Sequence, residues 1–207
     1  MIERSFPELR EFLEKEILGP DYPVKHLIEQ ARSKGYISRG KPGRGSAKVT
    51  TKDAATLLLG ALSGDTPQTA TDAMAIFQDL KLQQSTFGVH FPENTALSEK
   101  WWSTTLIAAV CEIIDAHRRN RNLDLEALCI TISRQPEFGA KIIWNDLPFE
   151  RDEYVSYELP EKDVRKIAST GRRVINASLY GNNWRVLADW LEDRSPFCEP
   201  GPFRSST

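Results

Sequence analysis

The residues best suited to binding chemistry are concentrated in one stretch, SKGYISRGKPGRGSAKVTTKD, which covers residues 33–53. Residues 31–52 contain seven basic side chains and no acidic one, whereas the other 185 residues contain 20 basic and 29 acidic side chains. The seven are Arg32, Lys34, Arg39, Lys41, Arg44, Lys48 and Lys52. Glycine lets a backbone approach a ligand closely, and guanidinium groups form paired hydrogen bonds with phosphate oxygens. The stretch therefore favours phosphate binding, although a solvated loop that binds nothing can have the same composition.

A nucleotide-binding P-loop is the first alternative for such a stretch. Gly40 and Gly45 have the spacing of that motif, but Ser46 and Ala47 follow the second glycine where the motif requires lysine. No apolar strand leads into the stretch. We therefore do not expect a nucleotide site here.

Catalytic and metal-binding motifs are missing from the sequence. It contains no GxSxG, HExxH or GxGxxG motif, and its three cysteines and three histidines have no CxxC or Cys/His ligand spacing. The acidic residues between 146 and 153 do not follow the spacing of an EF-hand loop. We predict a protein that is not an enzyme, holds no cofactor or metal ion, and keeps its cysteines reduced.

Helical periodicity surrounds the basic stretch. The predicted helices cover residues 6–18, 23–33, 54–62, 67–82, 98–121, 161–170 and 177–193. Gly35 should end the second helix, and Thr50 or Thr51 should cap the third, with Asp53 in its first turn. Ser98 should cap the longest helix. Residues 36–49, called the basic loop from here on, therefore connect two helices.

The period of the apolar residues changes to two in the sequences LCITIS and AKIIW. Pro136 and Gly139 lie between them, which predicts a β-hairpin over residues 127–144, with YVSYEL as a third strand. The predicted fold class is α+β and predominantly helical, with N-terminal helices that carry a basic wing-like hairpin and a C-terminal antiparallel β-hairpin packed on helices. We divide the chain into a helical region with the basic loop (1–97), a region with the long helix, the hairpin and the C-terminal helices (98–194), and a flexible tail (195–207).

The segment over residues 27–58 resembles the wing of winged-helix DNA-binding regulators of the MarR type. The matching positions are Gly35, Tyr36, Ile37 and Arg39 on the outgoing side, Arg44 at the tip, and Val49 and Thr50 on the return. In that family a wing arginine reaches the minor groove of DNA. The resemblance therefore implies DNA contacts by Arg39, Lys41 and Arg44.

The helix over residues 23–33 would then be the element that reads the groove, through Lys25, His26, Gln30 and Arg32. A second basic group near the C-terminus adds Arg172 and Arg173 as secondary phosphate contacts. The candidate nucleic-acid contacts are Lys25, Gln30, Arg32, Lys34, Arg39, Lys41, Arg44, Lys48, Arg172 and Arg173.

These patterns predict a cytoplasmic transcriptional regulator of bacterial or phage type that binds double-stranded DNA. The long helix over residues 98–121 is a candidate dimerisation element. The alternative is a non-enzymatic adaptor or inhibitor that binds a protein partner, with Trp101 and Trp190 as candidate exposed contacts. No apolar run approaches the roughly 18 residues that span a bilayer, so we expect no membrane association.

Overall fold

The computed structural model describes residues 4–39, 48–78, 80–85, 105–119, 128–133, 139–146, 151–158 and 176–192. These residues form an α+β fold that is predominantly helical, as predicted. The predicted helix over residues 161–170 and the predicted tail over residues 195–207 lie outside the described residues. In the described part of the chain, no helix is long and apolar enough to cross a membrane.

Six helices are present among the described residues. They are α1 (Phe6–Phe12), which continues as a π-helical segment (Leu13–Ile17), α2 (Val24–Lys34), α3 (Thr51–Ser63), α4 (Pro67–Phe77), α5 (Leu106–Arg119) and α6 (Gly181–Leu191). Gly35 ends α2 in the left-handed conformation, with φ of 79°. Thr50 caps α3 and forms a capping box with Asp53. Both boundaries of the basic loop are therefore where the sequence predicts them.

Among the described residues, five antiparallel strands form one sheet. They are β1 (Lys81–Ser85), β2 (Leu128–Ser133), β3 (Gly139–Asp146), β4 (Arg151–Glu158) and β5 (Asn176–Tyr180), in the spatial order β1-β4-β3-β2-β5. In the predicted hairpin, Ile130 of β2 lies opposite Ile142 of β3, and β4 is the predicted third strand. Both the hairpin and the third strand are confirmed.

Three predicted helix boundaries are wrong, because residues that were expected to be helical pair with extended segments instead. The helix expected over residues 67–82 ends at Phe77, and residues 81–85 pair with β4 instead. Residues 176–180, expected to be helical in part, pair with β2. Thr105 forms an extended bridge with Lys81, so α5 begins only at Leu106. Pairing with strands that are distant in sequence therefore overrides local helical periodicity.

The core joins the helices to one face of the sheet. Leu57, Leu58 and Leu59 of α3 are all fully buried, which confirms that this helix is apolar on nearly every side. Alternate residues of β2 face the same core, where Ile130 and Ile132 are each 1% exposed. The core thus holds α3, whose first turn begins at the end of the basic loop, in a fixed position.

We predict that Gly64→Ala destabilises the protein. A Cβ at this position would lie 2.1 Å from the backbone nitrogen of Ala70 and 2.5 Å from its Cα, so the start of α4 would have to shift. Overpacking of this kind typically costs about 1–3 kcal/mol of the free energy of unfolding. Urea denaturation measures the loss. The exposed neighbour supplies a control, because Asp65→Ala should change stability by about 0.5 kcal/mol or less; equal losses in the two variants would contradict the packing argument.

Candidate nucleic-acid interface

A buried carboxylate closes the base of the basic loop. Asp53 is 3% exposed. Its Oδ1 accepts a hydrogen bond from the backbone N–H of Ser38 at 2.8 Å, on the outgoing side of the loop. Its Oδ2 accepts from the N–H of Thr50 at 3.0 Å and from the Thr50 hydroxyl at 2.8 Å, just past the return side. One side chain therefore ties the two ends of the loop together.

The outgoing side of the loop is also fixed to the end of α2. Ile37 is 4% exposed and packs into the core. The Arg39 guanidinium donates hydrogen bonds to the backbone carbonyl oxygens of Arg32, at 2.7 Å, and of Ser33. These carbonyls belong to the negative end of the helix dipole, where a cation is stabilising. Arg39 is nevertheless exposed, and its fork of five donors retains capacity for a ligand.

The return side of the loop pairs with the segment that leads into α1. Lys48 forms an antiparallel bridge with Ser5. The N–H of Val49 donates to the carbonyl oxygen of Arg4 at 2.8 Å, and the Val49 side chain packs against the core. The last residues of the basic loop are thereby held beside the first turn of α1.

Two of the predicted contacts lie at this place, and a third is bonded to the end of α2. The Cζ atom of Arg32 lies 4.1 Å from the centroid of the Phe6 ring, in a cation–π arrangement. Phe6 follows Ser5, the residue paired with Lys48, and Arg39 is bonded to the carbonyl of Arg32. Arg32 and Lys48 therefore lie next to the first turn of α1, and Arg39 is bonded to the end of α2, from which the Arg32 side chain extends.

The other predicted contacts are placed differently. The Lys34 ammonium points to α4, 3.0 Å from a carboxylate oxygen of Asp72 and 3.1 Å from the Thr71 hydroxyl. The Thr71 hydroxyl also lies 3.3 Å from the amide oxygen of Gln30. Lys25 is exposed in the first turn of α2, about 10 Å along the helix from Arg32. The remaining predicted contacts, which lie outside the described residues, are Lys41, Arg44, Arg172 and Arg173.

An acidic residue also lies at the first turn of α1. Glu8 accepts hydrogen bonds from the N–H of Ser5 at 2.7 Å and from the Ser5 hydroxyl at 2.6 Å, and it lies 3.8 Å from the Arg4 guanidinium. The hydrogen bonds from Ser5 hold the pKa of Glu8 below its usual value. The carboxylate is therefore ionised at neutral pH and offsets part of the local positive charge.

The chain matches no protein family, no curated protein and no solved structure. The residues of the site therefore have to support any functional interpretation by themselves.

Sequence reasoning missed a polar cluster behind the loop. Asp115 of α5 accepts hydrogen bonds from Thr51 at 2.9 Å and from Arg118 at 3.0 Å, and Arg118 also donates to Thr51 at 3.1 Å. Arg118 lies 3.6 Å from Glu192, after the end of α6. Thr51 precedes Asp115 by 64 residues, so no local pattern could reveal the contact. The cluster fixes the first turn of α3 to both α5 and the end of α6.

The described residues show no grouping of histidine, cysteine and carboxylate side chains that could hold a metal ion. His117 is 7% exposed and lies 3.8 Å from Asp189 of α6. Cys111 and Cys129 are free and half-buried, and Cys198 lies outside the described residues. Burial and the neighbouring charge of Asp115 raise the pKa of Cys111 to about 12.

We predict that Asp53→Asn loosens the loop. The amide has only one acceptor oxygen to replace two, so at least one of the donors from Ser38 and Thr50 loses its partner. Leaving a buried donor unpaired costs about 1–3 kcal/mol of the free energy of unfolding. Urea denaturation gives this loss, and amide exchange at Ser38 should accelerate. Thr50→Ala is the control, because it removes the helix cap but keeps the bond to Ser38. Unchanged exchange at Ser38 in Asp53→Asn would show that the carboxylate does not close the loop.

We predict that Cys111 resists alkylation in the native protein. The thiolate is the reactive form of cysteine. A pKa near 12 keeps almost all of the Cys111 side chain in the protonated thiol form at pH 8. Iodoacetamide labelling at pH 8, read by peptide mass spectrometry, should modify Cys111 at least about tenfold more slowly in the folded protein than in urea. Equal labelling rates in the two conditions would contradict the assigned environment.

Proposed function

We propose that this protein binds double-stranded DNA through the basic loop and acts as a transcriptional regulator. The observation that carries the proposal is the anchoring of the loop. A segment with four basic side chains and no acidic one is tied at both ends by the buried carboxylate of Asp53. Arg32 is held beside the loop by its contact with Phe6.

Anchoring matters because a phosphate-binding loop loses conformational freedom on binding. A loop whose ends are already fixed loses less, and this preorganisation improves affinity without any new contact. Contacts to phosphate also dominate the free energy of DNA binding and fix the register of a protein on the duplex. A loop with anchored ends, next to which Arg39 and Lys48 lie, suits that positioning role.

Helix α2 is the element next to the loop that could reach base edges. Its exposed residues include Lys25, His26 and Glu29, whereas the Gln30 amide is engaged with Thr71. Lysine, histidine and glutamate side chains can donate to or accept from base edges in the major groove. We therefore assign sequence readout to Lys25 and His26, with Glu29 as a further candidate, and general phosphate contact to the loop.

The proposal predicts a salt-dependent affinity that depends on the loop. Each neutralised phosphate contributes about 0.9 to the slope of log affinity against log salt concentration, so Lys41→Ala/Arg44→Ala should make the slope shallower by up to about 2. Fluorescence anisotropy of a labelled duplex across a salt series measures this slope. The double variant leaves Arg39 and its contacts to α2 in place.

The matched control is Lys15→Ala/Lys81→Ala, which removes two positive charges from exposed positions outside the loop. It should keep the wild-type slope. If wild-type protein binds no duplex at low salt, the DNA-binding proposal is wrong, and an acidic protein partner becomes the interpretation of the basic loop. If both double variants lower the slope equally, binding reflects overall charge and not the loop.

A further inference from the structure

The end of α6 contacts the segment that holds the return side of the basic loop. Arg4 provides both connections. Its carbonyl oxygen accepts the hydrogen bond from Val49 at 2.8 Å, and its side-chain Nε donates to the carbonyl oxygen of Trp190 at 3.1 Å. Trp190 of α6 is more than a hundred positions from the loop in sequence. In the folded protein, Arg4 contacts both Trp190 and Val49.

Aromatic contacts strengthen this connection. The guanidinium of Arg4 lies 5.0 Å from the centroid of the Trp190 ring, and the Arg4 side chain is only 17% exposed. The Trp190 ring stacks on Phe12 with 4.8 Å between centroids and 21° between planes. Phe12 is 6% exposed and belongs to the core. The Trp190 ring therefore lies between Phe12 of the core and Arg4. A displacement of this ring would also displace the Arg4 guanidinium.

The last residue described after α6 is connected to the residue that follows the return side of the loop. Glu192 lies 3.6 Å from Arg118, and Arg118 donates to Thr51 at the start of α3. Two contacts at the C-terminal end of α6, through Arg4 and through Arg118, therefore lead to Val49 on the return side of the loop and to Thr51 just past it. A contiguous set of packed and hydrogen-bonded groups of this kind can transmit a displacement.

We propose that Arg4 is a positioning residue that couples the C-terminal turn of α6 to the basic loop, so that displacement of Trp190 loosens the return side and weakens phosphate binding. The last step rests on the proposed DNA-binding function, whereas the loosening of the loop does not. The bond to Arg4 helps to order the return side of the loop, and Trp190 and the Glu8 carboxylate together order the Arg4 side chain. The DNA affinity of the protein is thereby set in part by a helix that need not touch DNA.

The test measures loop order and DNA affinity separately in the full chain. Amide exchange at Val49, followed by NMR, reports loop order, and anisotropy with a labelled duplex reports affinity. Trp190→Ala should accelerate exchange at Val49 by about tenfold and weaken binding by about 5- to 10-fold, within the range of ordinary coupling between sites. Trp190→Phe keeps an aromatic ring on Phe12 and should restore most of both properties.

A second variant covers the case in which Trp190→Ala does not fold. Arg4→Lys keeps the charge but replaces the planar group on Trp190 by a hydrated ammonium, so exchange and affinity should change in the same directions. Val186→Ala is the control on α6, and Arg10→Lys is the control on α1. Both variants should lower stability only slightly, and neither should accelerate exchange at Val49 selectively.

The outcomes separate the coupling from the proposed function. Unchanged exchange at Val49 in folded Trp190→Ala and Arg4→Lys would overturn the coupling, whatever the affinity. Faster exchange with unchanged DNA affinity would overturn the claim that loop order matters for binding. Faster exchange in a protein whose wild type binds no duplex would support the mechanical coupling and refute the DNA-binding proposal.

Discussion

The arrangement of the N-terminal half depends on one buried carboxylate. Burying a charge is costly unless hydrogen bonds and nearby dipoles compensate for the lost hydration. Asp53 meets that condition with donors from Ser38 and Thr50 and with its position in the first turn of α3, where the helix dipole favours a negative charge. The same contacts that compensate the charge bring the two ends of the basic loop together. The cap of a helix and the closure of the loop are therefore one interaction.

Further contacts distribute the basic side chains around this anchor. The Arg39 guanidinium donates to a carbonyl near the end of α2. The Arg32 guanidinium lies over the Phe6 ring, and Lys48 pairs with Ser5. Lys34 is directed instead to Asp72 on α4. The basic stretch is thus divided: Lys34 stabilises the packing of α2 on α4, Arg39 is bonded to the end of α2, and Arg32 and Lys48 lie next to the start of α1.

Local signals in the sequence predicted what local physics determines. The caps at Gly35 and Thr50, the buried α3 and the hairpin of β2 and β3 depend on neighbouring residues and on side-chain periodicity, and each is confirmed. The strands β1 and β5 were misassigned because their partners are distant in sequence. The same limit applies to the site. The loop and its charge are visible in the sequence, but no pattern links Asp53 to Ser38, or Arg4 to Trp190, because those bonds exist only after the helices pack.

The central claim is that the anchored loop and the exposed face of α2 form the surface that meets DNA. Hydrogen–deuterium exchange of the wild-type protein, with and without duplex DNA, tests this claim most directly. The account predicts slower exchange on DNA binding in peptides that cover residues 24–39 and 48–53, with β3 and β4 unchanged. Slower exchange confined to the sheet, or none in the loop under conditions where the duplex is bound, would contradict it.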